Sequence, residues 1–184
     1  MERPELYFIA IVPGPDLREK VKKLKEEMKL NYKAGHALKS PAHITLQMPF
    51  KREAKAEAEM SKELKSFAAQ QKPFQVDLSG FGAFRPRVMF IKVVEPEPII
   101  KLHAGLRGLL SDKLDFSKEE LMQTVQPHMT IATRDLEKEM FFNAWPHFEN
   151  RDFEDSFRVS SLFLLKHNGR NWDLFREFSF GRDQ

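Results

Sequence analysis

The stretch PAHITLQMPF runs from Pro41 to Phe50, and QPHMTIATRD runs from Gln126 to Asp135. Each holds a histidine, one residue of any kind, and a threonine: His43 with Thr45, and His128 with Thr130. The chain has six His and four Thr in 184 residues, so average usage supplies about 0.13 such pairs by chance. A single pair is ordinarily a structural histidine. Two pairs, each in a short β-like segment shortly after a proline, point to a shared task.

Residues i and i+2 of a strand share a face, about 6.5–7 Å apart. Each motif therefore sets an imidazole beside a hydroxyl. Ile44, Leu46, Met129 and Ile131 point the other way, into apolar packing. Two histidines facing each other across a cleft can perform matched proton transfer. A neutral one takes a proton from an attacking water, and a protonated one gives a proton to a leaving oxygen. The Thr45 and Thr130 hydroxyls can bind non-bridging oxygens and hold developing charge. This set suits phosphoryl transfer without a metal. Acyl transfer fits poorly, because no activated Ser stands out and the chain has no Cys. A metal centre would need further ligands in the same cleft. The nearest acids, such as Asp135, lie beyond the strand ends, and there is neither an HExxH pattern nor an Asp-rich loop.

The elements that must position these residues follow from periodicity. Leu6–Val12 is an apolar run that reads as a buried strand, stopped by Pro13-Gly14-Pro15. Leu17, Val21, Leu24 and Met28 mark an amphipathic helix over 17–30, whose lysines read as an outer, solvated face. A loop over 31–39 leads to the first motif strand, 42–47. A second helix covers 53–71. Strands follow around Phe74–Leu78 and Val88–Val94, joined by a hairpin-like connection through Gly80–Arg87. The second half repeats the order: helix 99–114, motif strand 128–133, helix 136–145, then strands over 153–165, broken near Ser160, and 172–180. His167–Asn171 reads as the turn between them. The two His are 128 − 43 = 85 positions apart. Duplication within one domain spanning 1–184 would place the motifs opposite each other.

Charged residues make up 31 % with no long block of one sign, and 17 Phe supply a core, so a disordered chain is excluded. The net charge of +3 suits an anionic substrate without demanding nucleic acid. The absence of Cys excludes disulfides and thiolate zinc sites. No apolar stretch approaches the roughly 20 residues that span a bilayer. The expectation is a soluble cytoplasmic protein.

On these motifs the chain resembles the 2H phosphoesterase superfamily, also called the 2'-5' RNA ligase-like or LigT-like group, over nearly its whole length. The resemblance implies an α+β fold of two antiparallel-sheet lobes with outer helices, related by a pseudo-two-fold axis, with the motifs in the cleft between them. It implies a cyclic phosphodiesterase acting on 2',3'-cyclic phosphate ends of RNA or nucleotides, with no metal or cofactor. It maps His43 and His128 onto the catalytic histidines, and Thr45 and Thr130 onto the phosphate-binding hydroxyls. Gln47-Met48-Pro49-Phe50 stands where many members carry Arg-Phe and a Gly, and Arg134 stands one place later than usual. Further substrate-binding candidates are Phe50, Phe84, Arg85, Arg87 and Arg134. Phe84 could stack on a base, Phe50 could do so or equally belong to the core, and the cations could meet a phosphate. The competing readings are a 2'-5' RNA ligase and a non-catalytic RNA- or nucleotide-binding module. A monomer is expected.

Overall fold

The computed structural model describes residues 3–182. Eight strands and four α-helices are present among them. The chain begins with strand β1, Glu5–Ile11, and helix α1, Pro15–Tyr32. Pro15 opens α1, where its missing N–H has no partner to lose. A short 3-10 turn, His36–Lys39, leads into β2, Ile44–Arg52. Then come α2 (Glu57–Ala69), β3 (Phe74–Phe84), β4 (Val88–Val93), α3 (Glu97–Lys113), β5 (His128–Ala132) and α4 (Lys138–Phe148). The chain closes with β6 (Glu154–Val159), β7 (Ser161–His167) and β8 (Trp172–Ser179).

The strands form two four-stranded antiparallel sheets, ordered β2-β1-β7-β8 and β5-β4-β3-β6. The expected α+β class with two antiparallel sheets holds. In each sheet the motif strand is an edge, and its neighbour is the strand before the preceding helix: β1–α1–β2 in one sheet, β4–α3–β5 in the other. The two edges, β2 and β5, lie against each other. One continuous buried cluster draws on both sheets and on the inner faces of the helices, with Tyr7, Val21, Ile44, Leu64, Met129, Phe141 and Phe148 at its centre. Among the described residues no helix is long and apolar enough to cross a membrane.

Several expectations change. The Gly80–Arg87 stretch is not all connection: β3 runs on to Phe84, and only Arg85-Pro86-Arg87 turns the chain. Gly80 takes a φ of +65°, beside a register irregularity between Leu78 and Phe81, and so keeps the strand going through a bulge. Phe81 is then 3 % exposed and pairs with Ile91. Helix α4 continues through Pro146 to Phe148, because the Phe148 ring is fully buried against Phe81 at 5.2 Å. The break at Ser160 is a change of sheet, since β6 belongs to one and β7 to the other.

Candidate active site

The first motif begins at the threshold of β2. His43 and Thr45 are half-buried while Ile44 and Leu46 are buried, which is the expected alternation. The same holds on β5, where His128 and Thr130 alternate with the buried Met129 and Ile131. The alternation then breaks in β2. Register irregularities against β1, between Tyr7 and Ile9 and between Ile9 and Ala10, leave Leu46 and Gln47 both buried. Pro49 falls in this irregular stretch of an edge strand, where a missing N–H is tolerated.

The two imidazoles are held alike. His43 Nδ1 lies 2.7 Å from the Pro41 carbonyl oxygen, and His128 Nδ1 lies 2.7 Å from that of Gln126. A carbonyl only accepts, so each Nδ1 carries a proton and donates it. Each neutral ring therefore keeps its lone pair on Nε2. Aromatic rings wedge both. Phe8 packs on His43 at 4.8 Å, and Phe84 and Phe90 pack on His128 at 5.0 and 5.1 Å. This packing strips water from the rings and disfavours their charged forms. Burial pushes the His43 imidazole down to about 4, with the charges of Lys25 and His128 pressing the same way against the Pro41 hydrogen bond. Burial also lowers His128, with the Gln126 carbonyl opposing it.

A cavity of about 220 Å³ opens beside the first motif. His43, Thr45 and Thr130 line it, so residues from both edge strands reach one space. His128 is not among the walls; its charge adds to what disfavours a charged His43. The cavity's other walls include Phe8, Trp172, Lys25, His36, Lys39 and Arg134, and among the described residues no Asp or Glu. A wall of cations without a carboxylate selects an anion. The volume has room for a phosphate and part of what it is attached to. Among the described residues, no three His, Cys, Asp or Glu side chains come together as a metal site.

The other candidates divide. Arg134 lines the cavity, with a left-handed φ of +58° that turns the chain off β5. The next residue, Asp135, accepts N–H bonds from Gly35 and His36, both at 2.9 Å, and so ties the end of β5 to the turn before β2. Phe84 touches His128. Phe50 is a correction: it is 5 % exposed, packed against Tyr7 and Phe116, and belongs to the core rather than to a stacking surface. Arg85 and Arg87 are exposed at the β3–β4 turn and are not among the cavity walls; Arg85 faces Glu149 at 3.7 Å and lies over Trp145.

Sequence reasoning missed several of these walls, Lys25 and His36 among them. Lys25 belongs to the helix read as a solvated lysine face, yet it is 3 % exposed. Its signal was its place four after Val21 and next to Leu24, on the border of the apolar stripe. His36 sits in the 3-10 turn and lines the cavity; its signal is visible only in three dimensions. His103, on the inner face of α3, is buried at 4 %.

Comparison with known proteins supplies the class. The model of the 2'-5' RNA ligase superfamily matches residues 13–171, and the chain belongs to that superfamily. Among its relatives is a Geobacillus kaustophilus protein named "Putative phosphoesterase", 27 % identical over 180 residues, covering 95 % of this chain and 96 % of the relative. An Oceanobacillus iheyensis protein of the same name is 27 % identical over 184 residues, covering 96 % and 99 %. The fold matches that of E. coli LigT complexed with 3'-AMP, with a TM-score of 0.70 at 20 % identity over 97 % of this chain and 99 % of that one. A Thermus thermophilus protein matches with a TM-score of 0.69 at 20 % identity, over 98 % and 100 %. Family and relatives together point to a phosphoesterase-type enzyme.

Proposed function

We propose that this protein is a phosphodiesterase that opens a 2',3'-cyclic phosphate, on a nucleotide or an RNA end, by two-histidine acid–base catalysis. The observation that carries the reading is the matched pair of imidazoles, each with Nδ1–H tied to the carbonyl two residues earlier and Nε2 left free. Thr45, Thr130 and the cationic wall support it, because they suit a phosphate group. The family's solved members support it too: structures of E. coli LigT hold 3'-AMP, NADP+ and ATP.

The roles follow from the electrostatics. We assign the base to His43, whose charged form is disfavoured by burial and by the charges of Lys25 and His128. Its Nε2 takes a proton from water as the water oxygen attacks phosphorus. The bond from phosphorus to one ribose oxygen breaks. Protonated His128 gives its Nε2 proton to that oxygen, leaving a phosphomonoester and a free hydroxyl. Thr45 and Thr130 donate to the non-bridging oxygens as charge builds. The second water proton stays on the new phosphate, so atoms and charge balance.

The test is hydrolysis of the four nucleoside 2',3'-cyclic monophosphates in EDTA, wild type beside His43→Ala and His128→Ala. The expected outcome is turnover that survives EDTA and falls by about 10²–10⁴ in each variant. Unchanged hydrolysis in a variant carrying both His43→Ala and His128→Ala would sink the reading.

A further inference from the structure

Lys25 is a buried cation that the two-histidine scheme does not use. It lies on the inner border of α1, 3 % exposed, and forms part of the wall of the cavity that holds His43, Thr45 and Thr130. Its Nζ makes one hydrogen bond, donating to the Ser40 carbonyl at 2.9 Å. An ammonium has three donors, so two remain. No carboxylate stands within ion-pair distance of it among the described residues. Other cations around the fold do have acids: Lys20 pairs with Asp155, Lys166 with Glu57 and Arg52 with Glu120.

A buried charge without a counter-ion is expensive, because lost hydration is not repaid. A chain carries that cost where an incoming ligand brings the missing charge. The cavity has cations and hydroxyls on its walls and, among the described residues, no acid. The missing partner is therefore an anion, and one small enough for this space is a phosphoryl group.

We propose that Lys25 is a phosphate-binding catalytic residue, whose ammonium contacts a non-bridging oxygen of the reacting phosphodiester beside the Thr45 and Thr130 hydroxyls. This rests on the reading that the cavity handles a phosphodiester. The ammonium has a second effect on the site. Burial brings Lys25 down to about 8, so it remains mostly charged at neutral pH, and its charge helps to hold His43 neutral. One residue thus supplies the counter-ion for the substrate and keeps the base able to accept a proton. When the anion arrives, it neutralises Lys25 and eases His43 toward accepting that proton.

The experiment compares the wild type with Lys25→Met and Lys25→Gln. Met keeps the length without charge, and Gln keeps a donor for the Ser40 carbonyl. Three readouts are taken: affinity for inorganic phosphate by calorimetry, thermal midpoint, and the pH titration of the His43 Cε1–H resonance. Phosphate affinity is expected to fall about 10- to 100-fold in both variants. The thermal midpoint of Lys25→Met is expected to hold or rise, because an uncompensated buried charge has gone. The His43 titration is expected to move to higher pH. If both variants bind phosphate as the wild type does, or if the wild type binds none at millimolar concentration, the proposal is overturned. Cyclic phosphate hydrolysis is assayed in parallel. If the wild type hydrolyses nothing yet phosphate binding still depends on Lys25, the ligand assignment stands and the phosphodiesterase reading falls. If hydrolysis is intact in both Lys25 variants, the reverse holds.

Discussion

A histidine donating from Nδ1 to its own i−2 carbonyl has its reactive nitrogen chosen for it. That tether occurs at both His43 and His128. The two rings still differ in readiness to charge. His43 is held down to about 4, so it loses its proton first as pH rises. His128 is lowered as well, so it loses its own below the ordinary histidine value of 6.5. Base and acid are both in the required form only between those two points. The kcat/KM profile is therefore expected to be a bell with its maximum below pH 6.5, which a pH series on a cyclic nucleotide reads directly. A maximum above pH 7.5 would contradict the assignment. The same shifts enter stability. Both histidines bind protons more readily unfolded than folded, so stability is full above about pH 6.5 and declines as pH falls toward 4. His43→Asn should flatten that acid decline, as followed by urea midpoints at pH 7 and pH 5.

At the scale of the element, the irregularity in β2 decides what Gln47 does. In a regular strand it would share the face of His43 and Thr45. Instead it is 1 % exposed, and its amide donates to the Glu120 carbonyl at 2.8 Å and accepts from the Met122 N–H at 3.3 Å. Arg52 reaches the same stretch through Glu120 at 2.7 Å and covers the Phe116 ring at 4.1 Å. The strand of the first histidine thus clamps the segment leading to the carbonyl that orients the second. Gln47→Ala is expected to cost about 1–3 kcal/mol in denaturant titration, since both backbone groups lose their partner inside the protein. It should also lower kcat without removing phosphate binding. A neighbouring contact works through packing. A Cβ on Gly82 would meet the Phe90 ring at 2.5 Å, and that ring lies on His128. Gly82→Ala should displace Phe90 and depress turnover more than it depresses the thermal midpoint; equal losses would mean a general defect. Period-two and period-four patterns revealed the motif strands and helices, because their apolar faces repeat. They could not reveal the bulges, which arise from register between β1 and β2, nor the extension of β3, whose glycines look like a loop until Phe81 is seen in the core.

At the scale of the molecule, the doubled His-x-Thr made the meeting of the two motif strands readable, but not that each is the edge of its sheet. The repeated helix–strand order anticipated that β2 and β5 would occupy matching places. Lys25, His36 and Trp172 were not readable as one wall, because they come from α1, the turn before β2 and the start of β8. The order of the first sheet has a consequence for how the protein comes into being. β1 is flanked on one side by β2 and on the other by β7, with Tyr7–Ala10 pairing Phe163–Lys166. During synthesis both motifs leave the ribosome well before residues 161–179 do. Until then, β1 presents an unpaired apolar edge of the kind that seeks strands on other chains. Residues 161–179 close the first sheet, so a ribosome stalled after the second motif would hold both histidines and still display a sticky, unfinished fold to the cell's chaperones.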